Sequence, residues 1–249
     1  LKNYQKKYII LFLFGFYVNI YTSEAQTSQE KTIYNWYDNS VGKENLDINN
    51  GVPHINPYKT IDSNTNMYLV EDEFSKGSVV YDGQIYHNTN LKYDIYRDEI
   101  ILNPEGASEV IGINLTKRKV TSFSIYNKNF IKIEKEQYTL PEFSTGYYEI
   151  NEYKDNLFLY IKHQKNIQKK IKEDGIFYQY KEHNSYYIDY QKKLYPISNK
   201  SDVIKIFPEQ KKQINEFYVM NKVIKKADFD QFTKNLMTYI SNSLSNQTK

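Results

Sequence analysis

Residues 77–102 read GSVVYDGQIYHNTNLKYDIYRDEIIL, and this stretch decides the fold. Gly77 to Tyr81 forms a run of strand-favouring residues that meets Asp82-Gly83, a favoured tight-turn pair, and Gln84-Ile85-Tyr86 leads back. Asn88 and Asn90 bracket the next reversal. Leu91, Tyr93 and Ile95 then alternate with Lys92, Asp94 and Tyr96, the period of two expected of a strand with one buried face. Arg97-Asp98 turns the chain into Glu99-Ile100-Ile101-Leu102. The reading is consecutive antiparallel strands.

Working outward, the same chemistry extends from Met67-Tyr68-Leu69-Val70 to Ile197. Further short strands are predicted at 110–115, 120–126, 129–134, 147–153, 157–163, 176–181 and 186–190, the last two paired with each other across 182–185. Short strands with close turns suggest an antiparallel β-meander that curls into a barrel or sandwich. The basic run QKNIQKKIKED, residues 164–174, reads as a solvated connection or hairpin tip. Beyond Ile197 the period changes to that of helices. Ser201-Asp202 can cap a helix through Phe207, Pro208 suits the first position of the next, and Phe229, Phe232, Leu236, Ile240 and Leu244 share a face of a last helix over 227–244. The fold class is α+β: a curled sheet over 67–197, closed by two or three carboxy-terminal helices at about 201–245, in one β-rich domain spanning 67–249.

The amino-terminal residues have a different character. Lys2, Lys6 and Lys7 precede an apolar run, Tyr8 to Val18, of signal-peptide length and short for a membrane span of roughly 20 residues. Ser23-Glu24-Ala25 places small residues where signal peptidase reads, so residues 1–25 are expected to be a signal peptide cleaved between Ala25 and Gln26. An uncleaved anchor is the alternative, disfavoured by length. Residues 26–66 form a polar, partly ordered segment in which Trp36 is expected to tuck against the domain.

Composition narrows the function. There is no cysteine, which removes disulfides, thiolate metal sites and cysteine nucleophiles. Setting aside the leader's three lysines and one glutamate leaves 30 basic against 29 acidic residues, a balance unlike the concentrated basic face that nucleic acid requires. The expectation is no nucleic-acid partner, and no integral membrane protein after leader removal.

Chemistry-bearing motifs are sparse. His54, His87, His163 and His183 lie at no metal-ligand spacing, and no nucleophile elbow, phosphate loop or dinucleotide fingerprint occurs. Glu71-Asp72-Glu73 is the densest acidic cluster, but adjacent carboxylates diverge along an extended chain. No catalytic, cofactor or metal residues are therefore assigned, and no cofactor is expected. The 26 tyrosines raise a glycan-stacking face, for which Tyr81, Tyr86 and Tyr96 are the candidate ligand-binding residues if their rings stand exposed and coplanar beside Tyr93. Their spread along the whole chain favours the plainer reading, rings buried in a sheet with hydroxyls kept wet.

The opening block, with V-I-G-I-N-L at 110–115 and V-T-S-F-S-I-Y at 120–126, resembles an uncharacterised family of exported Bacteroidota proteins. There, a glycine-led strand and a tyrosine-flanked Asp-Gly turn precede an L-K-Y-D strand, and KSDVIKIFPEQKKQINEF at 200–217 resembles the helical tail. The resemblance covers most of 77–221 and implies a periplasmic or outer-membrane-associated protein, with no catalytic residues to carry over. The expected function is a non-enzymatic exported envelope protein that binds or supports an envelope protein or glycan. A glycan- or small-ligand-binding module with a tyrosine-rich sheet face is the alternative, and an enzyme with a site assembled from distant residues a third class.

Overall fold

A computed structural model of the chain describes residues 45–247 apart from 63, 64, 139 and 155, together with 32–34, 36, 40 and 42. The leader and the Ala25–Gln26 junction lie outside the described residues.

The fold is α+β. Thirteen strands run in chain order as β1 (Val52–Pro53), β2 (Ser75–Tyr81), β3 (Gln84–Asp94), β4 (Glu99–Asn103), β5 (Ile113–Asn114), β6 (Val120–Ile125), β7 (Lys128–Ile133), β8 (Gly146–Tyr153), β9 (Leu157–Lys162), β10 (Lys165–Lys172), β11 (Gly175–Glu182), β12 (Ser185–Tyr190) and β13 (Lys193–Ile197). Eleven form one antiparallel sheet in the order β1-β5-β4-β3-β2-β6-β7-β8-β9-β12-β13, and β10-β11 is a separate hairpin. Four helices follow: α1 (Lys200–Ile206), α2 (Lys211–Met220), α3 (Lys222–Ala227) and α4 (Phe229–Gln247).

Local chemistry explains the hairpins. Asp82 and Gly83 between β2 and β3, Tyr126 and Asn127 between β6 and β7, and Gln191 and Lys192 between β12 and β13 all have positive φ. That geometry matches the twist of paired strands. Gly77 marks a different event. A Cβ there would collide with the Ser124 carbonyl on β6, and the β2–β3 register shifts between Gly77 and Val79. Gly77 pairs with Thr89 and Val79 with Tyr86, so His87 and Asn88 oppose Ser78 alone as a bulge in β3, with Asn88 at φ 55°.

The sheet bends strongly. Tyr93 on β3 and Tyr147 on β8 have ring centroids 6.1 Å apart, although their strands are separated by four ladder steps, about 19 Å in a flat sheet. Phe123 and Phe130 stack at 4.6 Å on the same face, and both lie edge-on to Tyr93. This aromatic group anchors a first core with Leu91, Ile100 and Leu102. Leu157, Leu159 and Ile161 of β9 carry a second, under Phe217, Phe232, Leu236 and Ile240 of the helices. Alternation on β8 sends the next ring, Tyr148, into a third core with Phe143 and Tyr187. The ladder ends at β1 and β13, with no pairing between them among the described residues.

Several expectations need correction. Residues 164–174 are the arm and tip of a hairpin and not a connection: 165–172 pair with β11 along their full length, and 169–174 are exposed. Tyr180 and Tyr178 on β11 pack against Tyr58 and Tyr96, so the base of the hairpin folds back onto the sheet and covers Ile167, while Ile171 near the tip stays exposed. Its formation leaves β12 to pair with β9 and β13 instead of β11. Met67 to Val70 is not a strand, meeting β3 only at the Tyr68–Asp94 bridge, and the strand predicted over 110–115 shortens to Ile113–Asn114. Asn199, not Ser201-Asp202, caps α1: its side chain accepts from the Ser201 and Asp202 amides while Asp202 reaches back, completing a capping box. The predicted last helix is present as α4, and a short helix that the sequence period did not announce, α3, precedes it and ends at Ala227. Trp36 is 68% exposed and does not tuck against the domain; it precedes the ordered sheet and belongs to none of its cores.

Candidate functional site

The β3 bulge is also the wall of a cleft. His87 and Asn88, pushed out of the ladder, line a cavity of about 360 Å³ together with their paired neighbours Tyr86, Thr89 and Asn90, the end of β4 from Leu102 to Glu105, and Leu46 and Ile48 on the amino-terminal side. Its volume falls in the range of small-ligand sites. Ile48, Tyr86 and Leu102 belong to the first core and give an apolar floor. Asn49, Asn88, Asn90 and Asn103 line the cavity with one cation, Lys76, and one acid, Glu105; Asn103 is buried, with its amide engaged by Asn90, Ser108 and Ile111.

Internal hydrogen bonds fix this lining. Lys76 donates to the Asn88 carbonyl at 3.2 Å, and Thr89 donates to the Gly77 carbonyl at 3.2 Å, so both sides of the bulge are tied down. Asn90 donates to Asn103 at 3.3 Å. The Asn103 amide in turn donates to the carbonyls of Ser108 and Ile111, at 2.9 and 2.8 Å, and so pins the loop after β4 beside the cleft. Amides hydrogen-bond in both senses. With a near-neutral lining and a partly apolar floor, this arrangement suits a ligand rich in hydroxyls.

Two charged clusters lie inside the molecule. Glu149 on β8, 2% exposed, accepts from His163 Nε2 at 2.6 Å and Lys128 at 2.9 Å, and from Lys234 of α4. Asp230, also on α4, stands 3.6 Å from His163 Nδ1 and accepts from Tyr186 at 2.6 Å. Burial alone raises the Glu149 carboxyl, but the His163 and Lys234 hydrogen bonds and the Lys128 charge outweigh it and hold the group well below the usual range. The second cluster forms where the β3–β4 turn reaches the opposite part of the sheet. Asp98 accepts from Tyr93 at 2.6 Å and pairs with Lys117 and Lys162 at 2.6 and 2.7 Å. Burial raises its carboxyl, and the two ammonium groups overcome that and hold it low. Gly146 leaves room for the Lys162–Asp98 pair, since a Cβ there would meet both groups. Each carboxylate is engaged by several donors under packed side chains, an arrangement that fastens strands and helix together.

The candidate tyrosines do not share one face. Tyr81 is buried in the first core under Lys119, Tyr86 is buried at the cleft floor, and Tyr96 is half-buried on the far side with Tyr58 and Tyr180. Tyr93 is wholly enclosed. Of the three, only Tyr86 borders the cleft. Sequence reading passed over His163 and the asparagines. The turn signal at Asn88 and Asn90 was visible, but it reads as a reversal unless the register of β2 against β3 is known. No helix among the described residues is long and apolar enough to cross a membrane.

Comparison of the chain with protein-family models, with curated proteins and with solved structures finds no match.

Proposed function

We propose that this chain is a non-enzymatic exported protein of the cell envelope, belonging to the Bacteroidota family that its sheet sequence resembles, and that it holds a neutral, polyhydroxylated ligand such as a glycan segment in the cleft beside the β3 bulge. The single observation that carries this reading is a cavity of about 360 Å³ lined by four asparagines over an apolar floor. Bulges recur next to binding sites because they re-aim side chains, and non-glycine residues held at positive φ concentrate there. Asn88 has both properties. The amino-terminal leader sequence supports export to the periplasm or the outer membrane. The bend that brings Tyr93 to Tyr147 supports a sheet rolled toward a barrel. A non-enzymatic role accords with the tightly engaged, buried state of Glu149 and Asp98.

Calorimetric titration of residues 26–249 with a panel of neutral oligosaccharides tests the reading. At least one should bind, and Asn90→Ala should weaken it by about tenfold, the effect of roughly 1.4 kcal/mol. Failure of every neutral sugar to bind would remove the proposal, as would turnover of a bound sugar remove its non-enzymatic part.

A further inference from the structure

A second surface lies at the corner between α2 and α3. The inward face of α2 is Ile214, Phe217 and Tyr218, which pack under the other helices. The chain then presents Val219, Met220 and Val223 outward, 63%, 69% and 85% exposed. Single exposed aliphatic residues need no explanation, but three at one protruding corner form a patch. Lys200, Lys222, Lys225 and Lys226 border a shallow depression there with Tyr218 and Val219. Lys200 and Lys225 stand over the Tyr218 ring at 6.0 and 5.2 Å, which gathers their charge at the patch. No ion pair engages any of these four lysines among the described residues. From Lys211 to Asp228 there are five lysines against two acids.

The chemistry selects the occupant. Protein interfaces are enriched in aromatic residues, methionine and arginine and depleted in lysine, whereas this corner sets aliphatic tips beside a cluster of four lysines. Aliphatic residues enter the boundary between headgroups and acyl chains, and long lysine stems let the ammonium groups stay at the level of anionic phosphates. We infer that the α2–α3 corner docks on an anionic lipid surface, with Val219, Met220 and Val223 inserted and Lys222, Lys225 and Lys226 at the headgroups. This docking is independent of the ligand in the cleft.

Residues 26–249, which hold every described residue but not the apolar leader, would be sedimented with vesicles of phosphatidylcholine alone or mixed with phosphatidylglycerol. Partitioning onto the mixed vesicles should exceed that onto phosphatidylcholine by about tenfold or more and should fall with added salt. Val219→Ser/Met220→Ser/Val223→Ser and, separately, Lys222→Glu/Lys225→Glu/Lys226→Glu should each abolish the difference while circular dichroism and the melting temperature stay unchanged. Equal partitioning onto both vesicle types, or full binding by both variants, would overturn the inference. So would loss of binding only in Ile171→Ser/Ile176→Ser, at the exposed tip of the β10–β11 hairpin. A dimer abolished by the serine variant, with no vesicle binding, would assign the corner to a second copy of the chain.

Discussion

His163 Nε2 lies 2.6 Å from the Glu149 carboxylate, joining β8 to the residue after β9 inside the protein and beneath α4. Through Lys234 and Asp230 the same pair reaches the carboxy-terminal helix, so one buried acid links sheet and helix.

Removing that acid strands its donors. Glu149→Ala leaves Lys128, Lys234 and His163 without their common acceptor, and should destabilise the fold by roughly 3–5 kcal/mol. Because the folded-state pKa is held below the ordinary 4.5, the wild-type contribution is present above that pH and lost as pH falls through and below it. Urea unfolding at neutral pH should therefore show a large wild-type advantage that shrinks toward acid. An unchanged midpoint in the variant would show that the cluster contributes nothing.

Asp94 has the opposite pH response. Burial pushes its carboxyl from 3.8 up to about 6, against the hydrogen bonds that its Oδ1 accepts from the Tyr96 and Arg97 amides. Its folded-state value is raised, so its contribution is fully present below the unfolded value and lost as pH rises through about 6. Asp94→Asn keeps an oxygen for the two amides but does not titrate. Relative to this variant, the wild type should gain roughly 2 kcal/mol between pH 7 and pH 4. Parallel stability curves for the two proteins would contradict this.

Gly77 should tolerate no side chain. A Cβ there meets the Ser124 backbone oxygen, which cannot swing aside without opening the β2–β6 ladder. Gly77→Ala is expected to cost about 2 kcal/mol or more, read as a lower melting temperature. Gly83→Ala, at φ 82° but in open space, should cost less, about 1 kcal/mol. The reverse ranking would mean that the close approach of the strands is unimportant.

Asn103 is expected to control the loop beside the cleft. Without its donors to Ser108 and Ile111, Asn103→Ala should lose about 1–3 kcal/mol. Hydrogen exchange should quicken at the amides of 105–112 while the strands around Tyr93 keep their protection. Uniform change across the sheet would point to a general loss of packing instead.

Much of this architecture was legible locally. Leu91 and Tyr93 lie on a buried face of β3 as the period of two suggests, but Lys92 and Asp94 on the other face are buried as well, so the strand is covered on both sides there. Asp82-Gly83 turns where its conformational freedom suggests, and Phe232, Leu236 and Ile240 pack on one helix face. Such features depend on period and backbone preference, which neighbouring residues set among themselves. Other features depend on partners remote in the chain. Residues 165–172 looked like a solvated connection because their charge is visible and the cover given to Ile167 by Tyr180 and Tyr178 is not. His163 looked ordinary because Glu149 and Asp230 meet it only when the sheet bends and α4 closes over it. The asparagines line one cleft only through the β2–β3 register shift, which Gly77 permits and no local pattern announces. Sequence period determined most of the strands and the helix faces; the register between strands and the bend of the sheet decided which polar groups came together, because those depend on contacts between strands and not on any one of them.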